Sequence, residues 1–178
     1  MQINPFNAWF LAAPLFIVGI YIALRHRDTA KRMADMTGYT RKEKAVAVSA
    51  SSIPHLFMVL AIFIPLSLNI TAVAMGAPLY AIGLPGFIAA VAGYIKAPPD
   101  APAMHGIYRI SRNPMYVFAL LAYAGITFLT LNILLAILLI IMIVLHHMMI
   151  LAEEKACVRR FGKQYEQYRE NTPRYLFL

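Results

Sequence analysis

Two short stretches of this chain gather residue types that bind charged groups. The first, Gly106-Ile107-Tyr108-Arg109-Ile110-Ser111-Arg112-Asn113-Pro114-Met115-Tyr116, holds two guanidiniums and two phenols. Pro114 suits the first turn of a helix, and Asn113 before it is a good N-cap that proline pushes out of helical geometry. The segment is therefore expected to be a loop feeding a helix N-terminus, where free N–H groups and the dipole favour an anion. Arg112 adds positive charge there, although Arg109 and Arg112 serve equally well as anchors to lipid headgroups. The second stretch is Glu153-Glu154. Adjacent carboxylates beside an apolar run are costly unless paired. Their partner is either Arg109, Arg112 or Lys155, or a cationic ligand. His146 and His147 each precede a glutamate by seven residues, two turns along one helix face, and so point toward the same place. No third ligand lies near them, and a metal centre is not expected.

The elements that position these groups follow from the charges. Of the 178 residues, 61% are hydrophobic and 13% charged, against about 45–50% and 25% in soluble domains. The composition is that of a membrane protein. The 16 Lys and Arg fall into three clusters, Arg25 to Lys44, Lys96 to Arg112 and Lys155 to Arg174, and all eight acids lie within or beside them. Residues 1–24, 45–95 and 113–152 carry no charge. A spanning helix needs roughly 20 apolar residues, so these gaps hold one, two and two spans, at about 8–24, 46–68, 78–95, 114–130 and 133–151. Five spans put every charged cluster on one side, which the positive-inside rule makes cytoplasmic. The N-terminus is then outside and the C-terminus inside, with Asn69 to Pro78 and the Leu131-Asn132 turn on the far face. The first stretch reads as a retained span, not a signal peptide. The net charge of +8 is better explained by anionic headgroups than by nucleic acid, and no protein partner is implied. The single Cys157 excludes a disulfide framework within the chain.

The fold expected is an all-α, polytopic membrane bundle in one domain over 1–178, with three N-terminal spans in 1–95 and the chemistry in 96–178. Pro54, Pro65, Pro78 and Pro85 interrupt spans two and three, and such kinks often border cavities. Gly86, Ala90 and Gly93 form a small-residue ridge suited to close helix packing. His55 follows Pro54 and lies 11 residues beyond Lys44, about 16 Å at 1.5 Å per residue, where a neighbouring helix is expected to satisfy it. Beyond span five the helix is expected to continue from Ala152 to Tyr168 as an amphipathic interfacial helix, with Phe161, Tyr165 and Tyr168 as aromatic anchors on one face.

The order G-x-Y-x-x-x-R-[HN]-P-x-Y, a helical hairpin, E-E, then F-G-x-x-Y-x-x-Y resembles the isoprenylcysteine carboxyl methyltransferase and phospholipid methyltransferase superfamily. Gly106, Tyr108, Arg112, Pro114, Tyr116, Glu153, Glu154, Phe161, Gly162, Tyr165 and Tyr168 carry the resemblance, with Arg174 near the end. It spans residues 105–174, whereas the N-terminal spans carry no signature. The resemblance implies that the C-terminal half wraps S-adenosylmethionine at the cytosolic boundary, while a lipid or prenylated acceptor enters sideways from the bilayer. By the same resemblance His105, Gly106, Tyr108, Arg112, Pro114, Tyr116, Glu153 and Glu154 bind the cofactor. Arg112, Asn113, Tyr116, His146 and His147 are the candidates for acceptor chemistry. Two departures matter. Asn113 stands where the family usually has histidine, keeping hydrogen bonding and losing titration. Phe118 stands where a small residue is often found, which bears on the acceptor channel.

Methyl transfer from a sulfonium is a direct displacement that needs alignment and exclusion of water. A carboxylate acceptor needs no base and profits from an arginine; an amine must first lose a proton, for which His146 or His147 is available. The nearest family name favours a prenylated cysteine carboxylate, with a phospholipid amine second. Two other classes stay open: a sterol-reductase-like enzyme using a nicotinamide cofactor, and a non-catalytic scaffold whose basic loops bind lipid.

Overall fold

The computed structural model describes residues 7–176. Among them the secondary structure is helical: α1 (Trp9–Arg25), α2 (Arg27–Met33), α3 (Arg41–Ala61), α4 (Ile70–Lys96), a 3-10 turn (Gly106–Arg109), α5 (Pro114–Thr130), α6 (Ile133–Phe161) and α7 (Lys163–Asn171). The expected all-α class is what the chain adopts. Helices α3, α4 and α6 are long and apolar enough to cross a membrane. The 17-residue helices α1 and α5 sit at the lower limit of the roughly 17–25 residues that a span requires. After α1 the chain turns through 117° into α2.

The caps are local and mostly as the residue types dictate. Thr40 and Glu43 form a reciprocal capping box at the start of α3. Pro114 opens α5 in the first turn. Leu131 ends α5 in a left-handed conformation (φ 49°), and the Asn132 side chain accepts from the N–H groups of Leu134 and Leu135 to start α6.

Two span boundaries differ from expectation. Helix α3 ends at Ala61, not near residue 68, and α4 begins at Ile70, not near residue 78. Asn69 is the reason for the second, since its side chain accepts from Thr71 N at 2.8 Å and caps the helix there. Pro78 and Pro85 consequently lie inside α4. The first follows from Pro65, which biases Ile64 toward extended backbone. The Ile64 carbonyl accepts from Ala8 N, the Ile62 carbonyl from Asn7 Nδ2, and Ser67 N donates to the Leu129 carbonyl. The turn on the far face is thus 62–69 instead of 69–78. The helix expected over 152–168 is also broken. Gly162 sits at φ 52° between α6 and α7, and Tyr165 and Tyr168 are buried inside the protein, not displayed as lipid anchors.

Helices α4 and α5 make the closest pair. A Cβ on Gly76 would lie 2.7 Å from the Gly125 carbonyl oxygen, and one on Gly125 would lie 2.6 Å from Tyr80 N, so the two backbones touch as small-residue ridges allow. The Phe118 ring fills the space that a side chain at position 86 would need, so Gly86 supplies the room that the bulky residue at 118 takes up. Gly93 similarly lies under the Tyr108 ring. The main core joins Ala12 and Leu15 of α1, Phe57 and Ala61 of α3, Tyr123 and Ile126 of α5, and Leu138 and Met142 of α6. Outside it, Ile133, Ile137, Ile140 and Val144 form an exposed apolar stripe along α6, the surface expected toward lipid. His55 is exposed; its Nδ1 lies 2.9 Å from the Ser51 carbonyl of its own helix and its ring meets Phe16. Its own helix, not a neighbour, satisfies its hydrogen bonding.

Candidate functional site

The three charged stretches converge at one end of the bundle around a cavity of about 520 Å³, within the roughly 300–1,000 Å³ usual for small-molecule sites. Pro114, Met115 and Tyr116 of α5 and Glu153, Glu154, Ala156 and Cys157 of α6 form one wall. Tyr94 of α4 and Tyr108 of the 3-10 turn form another, and Tyr165 and Tyr168 of α7 close the back. The far wall comes from the N-terminal half: Arg32, Met33, Asp35, Thr37, Gly38 and Tyr39.

The adjacent glutamates have different surroundings. Glu154 is fully paired. Its Oε1 accepts from Arg112 Nε at 3.1 Å and Asn113 Nδ2 at 3.1 Å, and its Oε2 accepts from Arg174 Nε at 3.0 Å and the Arg174 terminal nitrogen at 2.9 Å. The Arg112 and Glu154 side chains are only 7% and 6% exposed. Arg112 also donates to the carbonyls of Arg169 and Thr172, and Arg112 N donates to the Pro173 carbonyl. This cluster straps the C-terminal tail onto the 111–113 loop. The hydrogen bonds that Arg174 donates to Glu154 raise the pKa of Arg174 further above its ordinary value, so the pair stays charged. Buried charge of this kind is tolerable because each group has several partners.

Glu153 has one hydrogen bond, from the Tyr116 hydroxyl to Oε1 at 2.5 Å, and no cation pairs with it among the described residues. It lines the cavity, and burial, with the neighbouring Glu154 charge, pushes its carboxyl up to about 7 against the lowering effect of the Tyr116 hydrogen bond, so a cation arriving there would favour its charged form. Tyr108 is the second open group. Its carbonyl accepts from the Tyr168 hydroxyl at 2.6 Å, while its own hydroxyl, in a residue 96% buried, has no partner among the described residues. Burial pushes the Tyr108 phenol above its ordinary pKa, so it remains a donor. An orphaned buried donor is rare and costly, and this one belongs to a residue lining the cavity.

The cavity guanidiniums are occupied. Arg32 donates to the Ala97 carbonyl and stacks 4.8 Å over the Tyr94 ring. Arg159 donates to the Gly38 carbonyl, and Arg160 donates to the Pro99 carbonyl and pairs with Asp35 at 3.6 Å. The Thr37 hydrogen bonds hold the Asp35 carboxyl below the usual carboxylate range.

Of the residues singled out from sequence, Tyr108, Arg112, Asn113, Pro114, Tyr116, Glu153 and Glu154 come together on this cavity. Asn113 does not cap α5 with its side chain; the amide is drawn instead to Glu154 and the Arg174 carbonyl, and Arg112 is turned to Glu154 rather than left free at the helix N-terminus. His105 and Gly106 are exposed and outside the lining. His146 is buried on the Met142 carbonyl, its ring 5.6 Å from Tyr116, one layer behind the wall. His147 is exposed and bonded to the Tyr175 hydroxyl. Sequence reasoning missed the wall from residues 32–39 and Tyr94. The available signal was aromatic residues at the edge of charged clusters, Tyr39 and Tyr94, together with Gly38 in a left-handed turn (φ 79°).

Residues 86–164 match the model of a family described as phospholipid methyltransferase. The matched stretch runs from the α4 glycine that accommodates Phe118, through the 106–116 segment and the α5–α6 hairpin, to the start of α7. The resemblance carried by the sequence motifs is thereby supported by an independent comparison. No curated protein and no solved structure gives a significant match.

Proposed function

We propose, taking the family match over residues 86–164 as the premise, that the chain transfers a methyl group from S-adenosylmethionine to the headgroup of a membrane lipid. The observation that carries this reading is Glu153, a cavity carboxylate with no cationic partner among the described residues. Both reactants in such a transfer bring positive charge: the cofactor has a sulfonium and an ammonium, and an aminophospholipid has an ammonium. A site built to take them needs a carboxylate that no internal arginine neutralises. The residues fit the cofactor. Glu153 would hold its positive groups, and the orphaned Tyr108 hydroxyl would donate to one of its oxygens or ring nitrogens. The faces of Tyr39, Tyr94 and Tyr116 suit a sulfonium or an adenine. Bound there, S-adenosylmethionine supplies an electrophilic methyl group.

Arg112, Asn113, Glu154 and Arg174 act as positioning residues in this account. They fix the N-terminal turn of α5 against α6 and set the distance between Tyr116 and Glu153. Neither histidine reaches the cavity, so an amine proton passes to Glu153, whose Oε2 makes no hydrogen bond among the described residues. A phospholipid amine is favoured over a prenylcysteine carboxylate because every guanidinium on the cavity wall is already engaged. The lipid tail remains in the bilayer, where about 0.8 kcal/mol per buried CH₂ helps hold the head in place. The charged end, and the cavity with it, lies on the cytoplasmic side by the positive-inside rule.

The test is transfer of labelled methyl from the cofactor to separate pools: aminophospholipid nanodiscs, prenylcysteine analogues, and water-soluble amines and acids. Label in the aminophospholipid pool supports the proposal. Label only in prenylcysteine gives the carboxylate reading, and fast turnover of the water-soluble pool alone defeats entry from the bilayer.

A further inference from the structure

A second groove, of about 460 Å³, lies between α6, α7 and the C-terminal tail and shares Glu154 and Arg159 with the lining of the cavity. Leu151 and Val158 contribute apolar surface, and Lys155, Arg159, Arg169 and Arg174 provide four cations around it. The acid in its lining is Glu154, whose carboxylate is committed to Arg112 and Arg174. Leu151, Lys155 and Val158 stand at i, i+4 and i+7 and therefore share one helix face. Toward the apolar end of α6 that face continues through Met148 and Val144, which are 46% and 54% exposed. An exposed apolar stripe thus runs directly into a basic pocket where the helix leaves its apolar stretch.

We propose that this groove is a binding site for the phosphodiester of an anionic membrane lipid, adjoining the methylation cavity through Glu154 and Arg159 but holding a lipid that is not methylated. The acyl chain lies along Val144, Met148 and Leu151, and the phosphate meets Lys155, Arg169 and Arg174. Two of the groove's cations are largely uncommitted, whereas Arg174 is paired with Glu154 and Arg159 donates to the Gly38 carbonyl. The Arg169 side chain makes no hydrogen bond or ion pair among the described residues, and the Lys155 ammonium, 65% exposed, meets only Glu43. The apolar stripe is what selects a lipid over a free anion, since a soluble phosphate gains nothing from it.

The experiment places the full-length protein in nanodiscs of phosphatidylcholine with equal phosphatidylglycerol and counts, by native mass spectrometry, the lipids retained on release. Lys155→Gln with Arg169→Gln is compared with Arg41→Gln with Lys42→Gln, which removes the same charge from exposed positions at the same end of the bundle but outside the groove. The groove variant loses its phosphatidylglycerol enrichment by roughly fivefold per cation removed, and the control keeps it. Arg169→Gln alone, which breaks no side-chain hydrogen bond or ion pair among the described residues, carries the same test at about fivefold if the double variant fails to fold. Equal losses in groove and control variants, or no enrichment in the unaltered protein, overturn the site. Displacement of the retained lipid by millimolar inorganic phosphate overturns the lipid assignment.

Discussion

Replacing Glu153 and Glu154 by glutamine one at a time separates the charge that meets a ligand from the charge that holds the fold. The residues are neighbours of identical type, yet Glu154 accepts from two arginines and Asn113 while Glu153 accepts only from Tyr116. Glu154→Gln strands the Arg112 guanidinium, whose side chain is 7% exposed, without its counter-charge. Breaking one partner of a buried pair costs about 3–5 kcal/mol, so this variant should unfold at clearly lower temperature in detergent, with any loss of cofactor binding following from that. Glu153→Gln keeps an oxygen to accept from Tyr116 and removes a charge that no internal cation shares, so its melting temperature should stay close to that of the parent protein. Its affinity for S-adenosylmethionine should fall by the worth of a charge-assisted hydrogen bond, about 1.5–3 kcal/mol, or roughly 10- to 150-fold. Thermal unfolding paired with calorimetric titration reads both. A thermally intact Glu154→Gln that cannot bind, beside a Glu153→Gln that binds normally, would reverse the roles assigned to the two carboxylates.

Tyr108→Phe removes a buried hydroxyl that has no partner among the described residues; the expected outcome is equal or higher thermal stability, by up to about 1–3 kcal/mol, combined with weaker cofactor binding. Unchanged binding would mean that the hydroxyl does not meet the cofactor. Gly86→Ala drives a methyl group into the Phe118 ring and should cost about 1–3 kcal/mol as overpacking, recovered by Phe118→Leu, whereas Gly83→Ala meets the Ala122 backbone and should resist any such rescue. Melting temperatures of the single and double variants check this contrast. In a Cys157→Ala background, cysteine at position 35 or 170 should be shielded from impermeant label in intact cells; strong labelling from outside would overturn the cytoplasmic placement.

The helices and several of their ends were legible because their causes are local. Uncharged stretches of the right length, a proline at the first turn of α5 and the Leu131-Asn132 turn all act within a few residues. The far-face turn lies earlier than expected because the Asn69 side chain caps α4 well before Pro78, and proline inside a membrane helix is tolerated when neighbours pack closely. Which residues would meet at the site was also visible in part, since Arg112, Tyr116 and the glutamates lie at the ends of consecutive helices. Which glutamate is paired was not. That depends on Arg174, 20 residues downstream, folding back against α6, and on the 32–39 segment closing over the cavity from the other half of the chain. Asn113 was read as a helix cap from its neighbours alone, whereas a buried carboxylate across the site claims its amide. Tyr165 and Tyr168 look like interfacial anchors until the break at Gly162 turns them inward.

Direct binding to the purified, detergent-solubilised protein tests most simply whether this cavity takes S-adenosylmethionine. Calorimetric titration with S-adenosylmethionine and, separately, with NADPH should give one saturable site for the first and no heat of binding for the second. That site should weaken in Glu153→Gln without loss of fold. Binding of NADPH alone, or of neither compound by protein shown to be folded, would contradict the account.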